Sequence, residues 1–292
     1  MARMKVDTDD ALSSEAVEEV VRLLVAAPRR RLSSAVIDGR SVWIKRFDTE
    51  NVPLAKRLHG WISPLLPAAI LRASPALSAD GLAAREAGKA EAFQAAGFPT
   101  PAILWRSKSV LVLSEVTRIG EPLLARLRDG ARDGARDGHE ELLVGMADAL
   151  GRAHAAGLCH GRPHPRDMFL RDDGEWGFLD FEEEPEAAMP LAAAQARDVW
   201  LMFMQIAARA LGEETTARAF AAWRKQAPAQ ILPELRKLVG VFSLLVPGLK
   251  ALRPLGLGKD GQRLLQATIF LRAALRGIIA VHSTPDRIGT PT

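Results

Sequence analysis

Cysteine is almost absent: one residue, Cys159, in a chain of 292. That excludes an internal disulfide and any cysteine-rich metal site, and it fits a reducing compartment. Long apolar runs are also missing. The longest, Leu238 to Leu249, falls short of the ~20 residues that a spanning helix takes. The opening MARMKVDTDD holds no apolar signal core. These absences predict a cytoplasmic protein. No G-x-S-x-G elbow occurs, which removes the hydrolase reading that a serine, His160 and Asp180 would otherwise invite. A zinc site at Cys159, His160 and His164 lacks a fourth ligand nearby. Tyrosine is missing while tryptophan occurs six times, an imbalance with no physical reading.

What is present is ordinary for a globular chain: 48% apolar residues, 25% charged, net charge +4. A pI near 9.5 permits an anionic partner without pointing to one. In chain order, apolar positions at helical spacing over 8–27 predict a helix. Leu32–Ile37 and Ser41–Phe47 predict a hairpin turned at Asp38-Gly39-Arg40. Residues 53–79 are apolar and broken by prolines, with Lys56, Arg57 and Arg72 at their edges. They read either as a peripheral membrane contact or as an extra packed helix. Gly81 to Ala96 predicts a helix that stops at Gly97-Phe98-Pro99. A second hairpin, Ala102–Trp105 with Val110–Leu113, leads to Ser114-Glu115-Val116. The R-D-G repeat over 128–138 predicts a flexible surface loop. A long helix over 139–156 carries His154, read as a hydrogen-bonded core histidine. Beyond residue 200, three helices (200–224, 229–252 and 260–283) and a tail are expected.

The centre of the chain runs A-H-A-A-G-L-C-H-G-R-P-H-P-R-D-M-F-L-R-D-D-G-E-W-G-F-L-D-F-E-E-E from Ala153 to Glu184. It reads as a helix end capped at Gly157, a polar loop, and a hairpin turned at Asp172-Asp173-Gly174-Glu175. The loop His160-Gly161-Arg162-Pro163-His164-Pro165-Arg166-Asp167, followed by Leu179-Asp180-Phe181, resembles the catalytic loop and metal-binding Asp of the protein-kinase-like fold. The nearest flavour is the small bacterial lipopolysaccharide-core and Kdo sugar kinases, the Bud32/RIO-type kinases and the aminoglycoside phosphotransferases.

That resemblance implies an α+β, two-lobed chain: a β-rich lobe over 1–116 and a helical lobe over 117–292. It implies ATP and Mg²⁺, with Lys45 on the phosphates, Glu86 or Glu91 holding that lysine, and Glu115 in the hinge beside the adenine edge. Glu86 fits the spacing to Gly97 better than Glu91 does. Asp167 and Asp180 would hold metal, and Asp198 would anchor the loop backbone. As plain sequence, Asp198 reads as an acid at the start of a helix. No G-x-G-x-x-G precedes Lys45, so the phosphates would lack their usual cover.

Two positions depart from the family pattern: Arg162 stands where an Asp base is expected, and Asp167 where an Asn is expected. Arg162 cannot accept a proton, which leaves it a clamp on the transferring phosphoryl group or an ion-pair partner of Asp167 or Asp180. His164 and Asp167 remain as bases. The implied acceptor is an anionic envelope glycolipid or another small molecule with a hydroxyl, and nucleic acid is disfavoured. A pseudokinase scaffold and a Bud32-like ATPase of a tRNA-modification assembly are the alternatives.

Overall fold

Asp38 and Gly39 both take left-handed backbone, φ 51° and 69°, and pair Ile37 with Arg40 across a two-residue turn. That geometry matches the right-handed twist of the strands it joins. The hairpin it makes, β1 (Leu32–Ile37) and β2 (Arg40–Arg46), belongs to a four-stranded antiparallel sheet. The other strands are β3 (Ile103–Arg106) and β4 (Val110–Ser114), in the order β1-β2-β4-β3. The computed structural model describes residues 11–27, 30–49, 74–130, 135–212 and 214–282. The apolar stretch 53–79 expected to be a membrane contact or a packed helix lies outside them except for its last residues.

Period-2 alternation sorts this sheet into two faces. Val42, Ile44, Leu104, Val110 and Val112 pack with Ala16 and Val20 of helix α1 (Ser14–Ala26). Ser13 caps α1 by accepting from the Ala16 amide, as capping serines do. Leu111, with Phe47 beyond the strand, packs against Ala83 and Ala87 of helix α2 (Ala79–Ala95). Ser78 caps that helix in the same way. Lys45 pairs with Leu111 across the β2–β4 ladder. The pleat therefore gives the lysine to the α2 face, one residue after Ile44 has gone to the α1 face.

The chain packs as two compact units, 1–125 with 165–189, and 126–164 with 190–292. The first also holds the small hairpin β5 (Met168–Leu170) and β6 (Trp176–Phe178), with Gly174 left-handed in its turn. Helix α3 (Gly120–Asp129) crosses the division. The second unit is helical: α4 (Ala135–Ala155), α5 (Leu191–Arg209), α6 (Thr215–Gln226), α7 (Ile231–Ser243), α8 (Val246–Leu252) and α9 (Lys259–His282). Leu143, Met146 and Leu150 of α4, Phe203 of α5 and Trp223 of α6 are fully buried in its core. The architecture is α+β, with a small antiparallel sheet in the first unit and helices making up the second.

Three expectations change. The R-D-G repeat over 128–138 is helical at both of its ends, and residues 131–134 lie outside the described residues. α3 runs to Asp129 and α4 begins at Ala135, so Arg136 and Asp137 are helical, with Asp137 suited to the positive end of the helix. The three helices expected after residue 200 are five segments: α5 ends at Arg209, and a break at Leu244-Leu245 separates α7 from α8, which opens on Pro247 at its first turn. Asp198 does not open a helix. α5 starts at Leu191, so the dipole reading of that acid fails.

Gly151 on α4 lets α6 approach closely. A Cβ there would stand 2.7 Å from the Trp223 carbonyl oxygen and 3.0 Å from Gln226 Cβ. Ala raises helix propensity by about 1 kcal/mol over Gly, but overpacking against backbone costs about 1–3 kcal/mol. Gly151→Ala is expected to lower the urea midpoint. A midpoint raised by the propensity gain would show that α4 and α6 can part without cost.

Candidate functional site

Lys45 is charged, yet only 7% of it is exposed. A buried ammonium survives only with partners, and three carboxylates supply them. Nζ lies 2.7 Å from Glu86 Oε2, 2.5 Å from Asp180 Oδ1 and 2.9 Å from Glu182 Oε1. Glu86 comes from α2 and is itself buried, whereas Glu91 on the same helix is exposed. The bland reading of Lys45 as a lysine on an exposed edge strand does not hold, because β2 lies between β1 and β4.

Asp180 reaches the lysine from a backbone with φ 66°, a conformation that Asp tolerates better than most residues. Around it, Phe178 and Phe181 pack on Phe93 of α2, with ring centroids 5.1 and 4.7 Å apart. That aromatic contact fixes where the acid emerges after β6. Upstream, the Leu179 amide donates to the Asp167 carbonyl at 3.0 Å, tying the end of the polar loop to the residue before Asp180.

Glu182 was not foreseen as a site residue. Its carboxylate takes Lys45 and also Arg31, which reaches it from just before β1. The segment that carries it is strapped to α2. Arg85 donates to the Glu182 carbonyl at 3.2 Å and to the Glu184 carboxylate at 3.1 Å. Lys89 donates to the Glu183 carbonyl at 2.9 Å and to Glu186 at 2.8 Å. The run E-E-E-P-E after Asp180 was the available signal, and basic residues at 85 and 89, one helical turn apart, were its counterpart.

Glu86, Asp180 and Glu182 each present an oxygen within 4.8 Å of the other two. Three carboxylates face the two cations Lys45 and Arg31. Burial pushes the Glu86 carboxyl up to about 7, against the pull of Lys45, and Asp180 and Glu182 add to the rise. Burial alone would lower the Lys45 ammonium, but Glu86, Asp180 and Glu182 together outweigh it and raise it well above its ordinary value. The Glu86 shift reports its burial first, and the Lys45 shift reports the three carboxylates gathered around one ammonium. Hard carboxylate oxygens so disposed suit Mg²⁺.

The other expected site residues are more dispersed. Asp167 is buried, does not join the three-carboxylate group, and has Arg166 Nε 3.2 Å from Oδ1. Glu115 is exposed, and its amide donates to the Ser41 carbonyl at 3.2 Å. It lines a cavity of about 750 Å³ with Phe98, Thr117 and Asp172 among the walls. None of Lys45, Glu86, Asp180 or Glu182 lines that cavity, so it is separate from the carboxylate group. Arg162 and His164 belong to the second unit.

In that unit, Asp198 is wholly buried and accepts from the His160 amide at 2.7 Å, the Gly161 amide at 2.9 Å and the Cys159 thiol at 3.3 Å. It sets the start of the polar loop. His154 accepts from the Trp223 indole at 3.2 Å, as a core histidine should, and its Nε2 lies 3.5 Å from Asp198.

No family model matches this chain, and no curated protein matches it. Among solved structures it is similar to the MAP kinase LmaMPK10 of Leishmania major, at 15% identity and TM-score 0.32 over 96% of this chain and 94% of that one. A second structure of that kinase, solved as a complex, gives 15% identity and TM-score 0.33 over 93% of each chain. Likeness so loose decides nothing about chemistry.

Glu86 holds its proton more tightly folded than unfolded. Its contribution to stability is therefore present below pH 4.5 and lost as pH rises through about 7. Lys45 acts in the alkaline range: its stabilisation is complete below pH 10.5 and fades only above that. Glu86→Gln is expected to remove the decline through the acidic window. Urea denaturation at pH 5 and pH 8 checks this, and parallel pH dependence in both proteins would refute it.

Proposed function

We propose that the chain is an ATP- and Mg²⁺-dependent phosphotransferase of the protein-kinase-like kind. One observation carries the reading: a buried strand lysine is held by a helix glutamate and by the aspartate that follows β6. Phosphoryl transfer asks mainly for positioned cations and metal-binding oxygens, with little covalent work from the protein. Lys45 would meet the phosphates, Glu86 would aim it, and Asp180 would hold Mg²⁺. Bound there, Mg²⁺ supplies charge neutralisation on the phosphate oxygens.

The roles of the loop residues rest on residue chemistry alone. His164 or Asp167 would take the proton of the acceptor hydroxyl as the γ-phosphoryl group moves from ATP to that oxygen and ADP leaves. Arg162, charged at any accessible pH, would steady the negative charge of the moving group. The acceptor proposed is a sugar hydroxyl of an envelope glycolipid, a choice supported by the loop's resemblance at 160–167 and by nothing else.

A second reading, a kinase-shaped scaffold without turnover, is favoured by Glu182. Its carboxylate already occupies Lys45, and Arg31 closes on it from just before β1. A nucleotide must displace that contact.

Thermal-shift titration with ATP, with and without Mg²⁺, separates the two. A ligand at a hundred times its Kd raises apparent stability by about 2.7 kcal/mol. The wild type is expected to shift only with Mg²⁺, Asp180→Ala to lose the shift, and Glu182→Gln to shift at lower ATP. A shift in Glu182→Gln alone would favour the scaffold, latched by its own glutamate. No shift in either protein up to millimolar ATP would overturn nucleotide binding altogether.

A further inference from the structure

The net charge of +4 is unevenly spread. Residues 235–282 contain eight Lys or Arg and a single acid, Asp260, so this stretch carries +7 and the rest of the chain −3. Asp260 is engaged by Arg263 at 3.3 Å. The basic stretch runs from within α7 through α8 and α9, and Glu234, just before it in α7, is engaged by Lys237 at 2.7 Å.

On α7, Arg236, Val239, Gly240 and Ser243 fall at helical spacing on one face, and on α9 Arg272, Leu275 and Arg276 do the same. These faces line a groove of about 430 Å³ whose walls include Arg236, Arg272, Arg276, Val239, Leu244 and Leu275. Its floor is aliphatic and its cationic groups are three guanidiniums. Arg272 and Arg276 are exposed. Arg236 Nε is buried at the wall and meets no hydrogen-bond acceptor among the described residues. Such a donor is ordinarily satisfied, so an outside oxygen suits it.

At the end of the groove the chain breaks between α7 and α8. Leu244 is 81% exposed there, Leu245 50%, and Leu252 on α8 51%, beside the exposed cations Lys250 and Arg253. Single exposed leucines mean little, but Leu245 at the break and Leu252 two turns on along α8 recur at helical spacing, with Leu244 beside the first and Lys250 and Arg253 close in the chain to the second. Buried apolar side chains with a basic rim suit the boundary between acyl chains and anionic headgroups.

We infer that the α7–α8–α9 surface docks on an anionic bilayer, Leu244, Leu245 and Leu252 entering the acyl boundary while Arg236, Arg272 and Arg276 take headgroup phosphates. Charge complementarity together with the exposed leucines selects this occupant over an acidic protein or an RNA, which would use the arginines and leave the leucines wet. The inference stands apart from nucleotide binding at Lys45, since it uses other residues and another readout.

The test is co-sedimentation of the full chain with phosphatidylcholine vesicles and with vesicles of equal parts phosphatidylcholine and phosphatidylglycerol. Binding is expected only to the anionic vesicles, and to weaken with salt. Arg272→Ala with Arg276→Ala is expected to weaken it roughly thirtyfold, and Leu244→Ser with Leu252→Ser by at least about tenfold. Circular dichroism and melting confirm that both variants fold. The inference fails if anionic vesicles are not bound, if neutral vesicles bind equally, or if the leucine variant binds as the wild type does. It fails equally if the leucine variant lowers the melting temperature, the mark of a face covered by this chain itself, or converts a dimer to a monomer without any vesicle binding. Retention on polyuridine that ignores the leucines, with no vesicle binding, would give the surface to RNA.

Discussion

The ammonium of Lys45 is the group on which the first unit depends. Buried among carboxylates, it ties β2 to α2 through Glu86, to the end of the small hairpin through Asp180, and to the following segment through Glu182. Breaking one partner of such a cluster is far more costly than never having built it, because the remaining charges stay out of water. The cluster is therefore poor evidence for stability as an end in itself. Around Lys45 and Arg31 it gathers three carboxylates on two cations.

The strap after Asp180 sharpens that argument. Arg85 and Lys89 hold the backbone carbonyls of Glu182 and Glu183 as well as the side chains of Glu184 and Glu186. With carbonyls gripped, the segment cannot swing away merely by exchanging one ion pair. Glu182 is thus delivered to Lys45 by α2, the same helix that supplies Glu86. Glu86 and Glu182, both paired with Lys45, arrive from a common support. Any ligand that loosens one is felt by the other.

Much of this was legible in the chain. The Asp-Gly turn, the alternation of Val42-Trp43-Ile44-Lys45, the stop at Gly97 and the hairpin around Gly174 are local rules, and each produced the element it promised. The spacing of Glu86 ahead of Gly97 singled out the glutamate that meets Lys45. What escaped was whatever needed a partner distant in sequence. Glu182 carried no reading of its own in the sequence, because its meaning comes from Arg31, Arg85 and Lys89. For Asp198 the resemblance gave the anchoring of the amides at 160 and 161, and only its place in the helix, which begins seven residues earlier, was misread. The R-D-G repeat misled in the other direction. Glycine and paired charges favour a loop by composition, but Arg and Asp in a helix's first turn lie within what a helix accepts.

Net charge misled for a simpler reason: it is a sum. A chain of +4 reads as mildly basic, whereas this one couples an acid-rich site to a stretch of +7 near its end. The two fields ask for opposite ligands. Around Lys45 the carboxylates outnumber the cations. Over α7–α9 the guanidiniums call for anions, and the leucines beside them call for an apolar phase. A free anionic metabolite would satisfy the arginines and leave three leucines in water. A bilayer surface answers both demands at once, and the demand made by the leucines is what separates it from every other polyanion.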